Sequence, residues 1–359
     1  MKVARVIPFL DFGGIEKVVE LIALEFFKNN SVEHSVIVLG PKGRVAKQLQ
    51  NRGIEVICLD QNPKIPNLSL IFNLYKLFRL KQFEVVHTSG AEANFHGIIA
   101  GYLSGIRIRI AEEIGFPKHH LLWRVIFRFV YSLSTKVIVI SEAVKKFLIA
   151  NGELSSQKAK VIYNPAQIPY TLPNGKGKKD HLIFIMVCRL TPIKNIPATL
   201  KSFAELKPDY QQRYKLMIIG EGEQSDLLEK MVGELGLMKV VSFLGYQSNV
   251  SDYLHTADVF VIPSISEGSS VALAEAMLHG LPSIVTKVGG ASEIIGTSES
   301  AVMVDPNNIT EIKEAIQFFI DLQPSELAKM GSRAKEFAGI NFSSQKYAWD
   351  LLSLYKNPF

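Results

Sequence analysis

The chain has 359 residues, 47% of them hydrophobic and 21% charged. That composition excludes a disordered chain, and the length exceeds what one core organises, so two domains are expected. The two cysteines, Cys58 and Cys188, lie far apart in apolar runs, which argues against a disulfide framework or a thiolate metal site.

The net charge of +6 is unevenly spread, with 22 Lys/Arg against 13 Asp/Glu in residues 1–165 and 18 against 21 in residues 166–359. Either this is chance variation or the first half faces an anionic surface or substrate. No run approaches the roughly 20 apolar residues needed to span a bilayer. The opening MKVARVIPFLDFGG lacks the long apolar core and cleavage site of a signal peptide. A cytoplasmic protein is expected.

In chain order, strands are predicted at Val3–Phe9, Ser35–Leu39, Glu55–Leu59, Val85–Thr88, Arg107–Ala111 and Val137–Ile140. Helices between them include Glu16–Lys28, Asn67–Lys81 and Ala93–Leu103. Strands apolar on both faces, alternating with helices, predict a parallel sheet covered on two sides. The lysine-, proline- and glycine-rich stretch 166–180 reads as a linker. Beyond it the alternation restarts with strands at His181–Cys188, Tyr214–Gly220, Val240–Leu244, Val259–Pro263 and Ser283–Thr286. The last stretch, Ser325–Lys356, is predicted helical with a weak point at Gly339–Phe342. The expected fold is α/β, with two doubly wound Rossmann-like domains (1–165 and 181–340) facing a central cleft. The segment 341–359 would cross back to the first domain.

Three junctions could carry chemistry. In SEGSSVALAEAMLHG, Ser266–Gly280, a loop after a strand leads into a helix that Ser269 or Ser270 can cap, and Gly280 and Pro282 stop it. Backbone N–H groups of Gly268, Ser269, Ser270 and Val271 at a positive helix end make an anion site. Glu267 and Glu275 would repel a phosphate there, so hydroxyl groups are their partners; a nucleotide sugar has both. The second junction is CRLTPIKN, where Arg189 and Lys194 could neutralise a departing diphosphate without a metal, or could be solvated surface cations. The third is FLDFGGIEK, where Gly13 and Gly14 permit close backbone approach but lack GxGxxG spacing.

With the segments VVH (Val85–His87), YNP (Tyr163–Pro165), IIGEGE (Ile218–Glu223) and FLGY (Phe243–Tyr246), these junctions make the chain resemble the retaining group-one, family-four glycosyltransferases of the two-domain GT-B fold. The resemblance implies a metal-independent transfer from a nucleotide-diphosphate sugar, UDP- or GDP-linked. No separate cofactor and no nucleic acid are implied; the acceptor would be a glycan or a lipid-linked sugar. Glu267 would contact the sugar hydroxyls, Glu275 the ribose, Arg189 and Lys194 the leaving group. Tyr246 and Gln247 would lie toward the base, and Gly14 near donor or acceptor. Many relatives carry a second histidine where this chain has Ser89, and some carry one at the place of Glu92. The polar group of the first domain near the reacting centre is therefore open among His87, Glu92 and His96; His87 could equally be a hydrogen-bonded core residue. Sugar-nucleotide epimerases share the layout but match the Glu267–Glu275 segment poorly. A non-catalytic partner subunit would be expected to have lost some of Arg189, Lys194, Glu267 and Glu275.

The segment KHHLLWRVIFRFVYS, Lys118–Ser132, places His120, Arg124, Arg128 and Tyr131 on one helical stripe and apolar residues elsewhere. It is read either as a helix lying on an anionic membrane at the inner face or as a buried crossover helix with outward arginines.

Overall fold

The structure, a computed structural model, describes residues 1–11, 13–30, 32–166 and 180–358. The expected linker therefore lies outside the described residues except at Ala166 and Asp180. Contacts divide the chain into two units, one of Met1–Pro165 with Ser344–Phe359 and one of Ala166–Ser343.

Unit one is built on β1 (Lys2–Ile7), β2 (Glu33–Val38), β3 (Val56–Cys58), β4 (Val85–Ser89), β5 (Ile108–Glu113), β6 (Lys136–Val139) and β7 (Ala159–Val161). All pair in parallel, in the order β3-β2-β1-β4-β5-β6-β7. β4 has no exposed residue and β1 is buried from Val3 to Ile7, as sheets covered on both faces require. β7 was not anticipated: only three residues long, with Lys160 exposed, it has no apolar run to announce it.

Unit two is built on β8 (Leu182–Val187), β9 (Tyr214–Ile219), β10 (Val241–Phe243), β11 (Val259–Ile262), β12 (Ser283–Thr286) and β13 (Ala301–Val304). They are again all parallel, in the order β10-β9-β8-β11-β12-β13. Phe184, Leu216, Val259 and Ile284 anchor its core against the helices Ile196–Ala204 and Ile309–Asp321.

The final stretch is two helices, Pro324–Asn341 and Ser344–Lys356. The break falls within the predicted weak point Gly339–Phe342: the first helix runs through Gly339 and ends when Phe342 leaves helical geometry at φ −123. Phe342 itself is buried, with its ring edge-on to Phe337 at 6.2 Å.

Each sheet reverses its winding once, between β1 and β4 in unit one and between β8 and β11 in unit two. The loops leaving these strand pairs diverge and open a crevice at the carboxyl edge, the place where open α/β sheets bind ligands.

Candidate functional site

In unit two the crevice is bounded by the loop after β8, which carries Arg189 and Lys194, and the loop after β11, which carries Glu267. The loops are tied together where Ile265 N donates to Ile193 O at 2.8 Å. Lys194 Nζ then reaches Glu267 Oε2 at 2.7 Å, and Ser264 Oγ donates to the same oxygen at 3.1 Å. Sequence reasoning grouped Lys194 with Arg189. The structure pairs it with Glu267 and leaves Arg189 exposed, with no side-chain hydrogen bond or ion pair to the described residues. Both members of the pair are largely enclosed, at 21% and 10% side-chain exposure. The three charged groups together retain one net positive charge, suited to an anionic ligand.

Glu267 is held from behind by backbone. Its carbonyl accepts from Gly290 N at 2.8 Å, and Thr286 Oγ1 donates to Ser264 O at 2.7 Å. Gly289 passes so close that a Cβ there would lie 1.8 Å from Glu267 O, and its φ is +54. Sequence reasoning did not single out Gly289; a Gly-Gly pair shortly after a buried strand was the available signal. Ser270, not Ser269, caps the helix Val271–Leu278, with its side chain accepting from Leu273 N at 3.2 Å. The N–H groups of Val271 and Ala272 have no intrahelical acceptor, as at any helix start, so the loop presents a partial positive charge. Glu275 is half-buried farther along that helix. Burial pushes the Cys188 thiol up to about 11, so it stays neutral and is not a nucleophile.

Beside this centre a cavity of about 530 Å³ is lined by Leu190, Gly220, Glu221, Gly222, Phe243 and Gly245, among others. A Cβ at Gly222 would sit 2.4 Å from Leu190 O, so only glycine lets the loop after β9 fold over the loop after β8. Tyr246 N donates to Glu221 Oε1 at 3.3 Å, and Gln247 Nε2 to Leu244 O at 2.6 Å. Tyr246 and Gln247 thus follow directly on Gly245, which lines this cavity. Glu221, in the GEG turn, is the polar residue that the sequence reading left without a role.

In unit one the equivalent crevice has the loop after β1 on one side and the start of the helix Ala91–Leu103 on the other. Gly13 and Gly14 are exposed at the start of the helix Gly14–Asn29, which has no side-chain cap. Beneath them lies a buried polar cluster. Arg5 of β1 lies opposite His87 of β4 in register; its Nη1 contacts the imidazole and its Nη2 donates to Glu112 Oε2 at 2.5 Å. Ser89 Oγ donates to that oxygen at 2.5 Å, Tyr347 OH to Glu112 Oε1 at 2.9 Å, and Tyr355 OH lies 2.6 Å from His87 Nδ1. Burial pushes the Glu112 carboxyl up, but Arg5 and the hydrogen bonds from His87 and Ser89 outweigh it and hold the group ionised. Burial, followed by Arg5, lowers His87 to about 4, leaving the imidazole neutral.

His87 has no exposed surface. His96 is equally buried, with Nε2 accepting from Asn67 N at 3.1 Å and Nδ1 lying 2.7 Å from Glu92 O. Of the three polar groups weighed for this side, only Glu92 is partly exposed, and its carboxylate makes no hydrogen bond to the described residues.

Of the stripe predicted on the segment Lys118–Ser132, the helix exposes His120 and Arg128 and part of Arg124, but not Tyr131. Its regular part is Leu121–Leu133, and Tyr131 is fully buried, donating to Glu113 Oε2 at 2.7 Å. Arg128 instead lies among exposed Leu121, Leu122, Val125 and Phe129. The helix buries its Phe127–Val130–Tyr131 edge and turns its more aliphatic side to solvent.

Residues 172–337 match the family described as glycosyl transferases group 1, and residues 12–168 match Glycosyltransferase Family 4. An Escherichia coli UDP-Gal:alpha-D-GlcNAc-diphosphoundecaprenol alpha-1,3-galactosyltransferase is 26% identical over 77% of this chain and 76% of its own. The Staphylococcus aureus capsular polysaccharide biosynthesis glycosyltransferase CapH is 27% identical over 82% and 83%. In fold, the chain is similar to Anabaena HepE solved with UDP and glucose, with a TM-score of 0.84 at 20% identity, covering 99% of this chain and 100% of that one.

Proposed function

This chain belongs to the group 1 glycosyl transferases, with a family 4 domain preceding the group 1 domain, and from that premise we propose that it is a retaining, metal-independent hexosyltransferase. It takes a sugar from a nucleotide-diphosphate donor and adds it to a glycan or lipid-linked acceptor in the synthesis of a surface polysaccharide. The uridine nucleotides named for the E. coli relative and for the Anabaena structure favour a UDP-sugar. Its site of action is the cytoplasmic side of the membrane, at its surface.

The observation that carries the reading is the Lys194–Glu267 pair at 2.7 Å beside the uncapped N–H groups of Val271 and Ala272. A sugar diphosphate has hydroxyls for the carboxylate and anionic oxygens for the cations and the helix start. As the bond between the sugar C1 and the diphosphate oxygen breaks, negative charge grows on that oxygen. Lys194, Arg189 and the loop Gly268–Val271 stabilise it more in the transition state than in the ground state. The acceptor oxygen bonds to C1 on the face the diphosphate leaves, and its proton passes to the departing diphosphate, so no protein base is required. Glu267 orients the sugar through its hydroxyls. Glu275 reads the ribose, and the cavity lined by Gly245, just before Tyr246 and Gln247, takes the base.

On unit one, Glu92 is the group that meets the acceptor, near the glycines at Gly14. His87, enclosed and neutral, acts as a positioning residue by holding Glu112 and Arg5 in register under the loops.

A thermal-shift panel of UDP-, GDP- and ADP-sugars tests the reading. A donor bound at micromolar affinity raises the melting temperature by mass action, and the stabilising donor should then be consumed slowly in water and faster with acceptor. A panel in which no nucleotide sugar shifts the transition would overturn it.

A further inference from the structure

Unit one carries an apolar surface that its own core does not use. Leu121, Leu122, Val125 and Phe129 are 77, 63, 60 and 59% exposed on one side of the helix Leu121–Leu133. This helix packs beside Ala91–Leu103, which packs beside Leu68–Lys81, so the three form a layer on one face of the sheet. The outer side of the last helix adds exposed Leu68 and Phe72, with Lys76 Nζ 4.3 Å above the Phe72 ring.

The rim of this surface is cationic. Lys118, Arg124, Arg128 and Lys76 form no ion pair among the described residues, and Glu92 is the only partly exposed carboxylate on the three helices. Exposed leucines and phenylalanine beside unpaired cations are costly in water and suited to the interface of an anionic bilayer. No helix among the described residues is long and apolar enough to cross a membrane, so the contact is parallel to the surface. Because the strands are parallel, the starts of these helices lie at the carboxyl edge of the sheet, and Leu68, Leu121 and Leu122 therefore rim the edge that carries Glu92 and Gly14.

We infer that this three-helix face docks unit one onto an anionic lipid surface, with Leu121, Leu122, Val125 and Phe129 entering the headgroup boundary and Arg128 and Lys118 meeting lipid phosphates. The inference rests on the proposed membrane-side action and identifies its surface. It also extends the segment read from sequence to the neighbouring helix Leu68–Lys81.

The test is sedimentation of the full chain with phosphatidylcholine vesicles, with and without phosphatidylglycerol, alongside thermal shift by the stabilising nucleotide sugar. Wild type should pellet with the anionic vesicles, less so at high salt. Arg128→Ala should lower partitioning about fivefold, from about 1 kcal/mol for one cation near the surface. Val125→Glu with Phe129→Glu should lower it at least ~10-fold, while both variants keep the donor-induced shift. Equal binding of variant and wild type, or wild type that ignores anionic vesicles, overturns the inference. So does loss of a wild-type dimer in the double variant without change in vesicle binding, which would assign the face to a second copy of the chain. A missing donor shift with intact vesicle binding would refute the transferase reading and leave this one standing.

Discussion

Lys194→Ala separates two roles that the geometry combines. In the ligand-free protein Lys194 is the partner of Glu267 at 2.7 Å, with side chains 21% and 10% exposed. Losing an exposed pair costs up to about 1 kcal/mol, and losing one partner of a fully buried pair costs about 3–5 kcal/mol. A pair this enclosed falls between, at ~1–3 kcal/mol, equivalent to a fall of several degrees in melting temperature for a domain of this size. The catalytic loss should be separate and larger in proportion. If Lys194 holds the departing diphosphate, its removal resembles loss of one preorganised oxyanion donor, about 10²–10³ in kcat, or about 2.7–4 kcal/mol of transition-state stabilisation.

The assay is single-turnover sugar transfer or donor hydrolysis at saturating donor, well below the melting temperature of the variant. Glu267→Gln and the double variant complete a cycle. If Lys194 serves the leaving group and Glu267 the sugar, the two losses are distinct and the double variant is slower than either single one. If Lys194 only holds Glu267 in place, the double variant is no slower than Glu267→Gln. A Lys194→Ala enzyme within a few-fold of the wild-type rate would refute the leaving-group role altogether.

Gly289→Ala would drive a Cβ to 1.8 Å from Glu267 O at φ +54, so donor-induced stabilisation should vanish and stability fall by ~1–3 kcal/mol or more. Gly280→Ala, at φ +74 but no closer than 3.5 Å to any atom, should cost about 1 kcal/mol and leave donor binding intact; equal behaviour of the two would discount the close approach. Glu113, raised to about 7 by burial against the opposing Tyr131 hydrogen bond, holds its proton more tightly folded than unfolded. Its contribution is whole below about pH 4.5 and is lost as the pH rises through about 7. Denaturant midpoints of wild type and Glu113→Gln should therefore diverge from about pH 4.5 to 7 in the direction that weakens wild type, by on the order of 1–3 kcal/mol. His34 and His87, lowered by burial to about 3 and about 4, contribute with the opposite sign but cancel in the difference. Parallel curves would refute the assignment to Glu113.

The period of the apolar residues determined much of this fold. Runs such as Val85–Val86 and Phe260–Ile262 are buried on both faces, and that is legible without coordinates because a strand covered on both sides has no polar alternation. The strand-to-helix junctions were legible for a related reason: Ser270 and the glycines mark a backbone leaving one geometry for another. β7 and β13 escaped notice because they are edge strands of only three and four residues, too short for a period to show, whereas the break at Phe342 fell inside the expected weak stretch Gly339–Phe342.

What sequence could not decide was which polar side chains meet. Lys194 and Glu267 are 73 positions apart, and only the closure of the loops after β8 and β11 makes them an ion pair. Arg5, His87, Glu112 and Tyr355 become one buried cluster because the parallel register sets Arg5 beside His87 and the last helix returns to the first sheet. The helix Leu121–Leu133 makes the same point through its surface. Its sequence specifies a helix with too many apolar residues for one face, but which of them become core depends on neighbours supplied by β5, β6 and the adjoining helices. Local periodicity is a property of the chain; pairing and burial are properties of what the chain packs against.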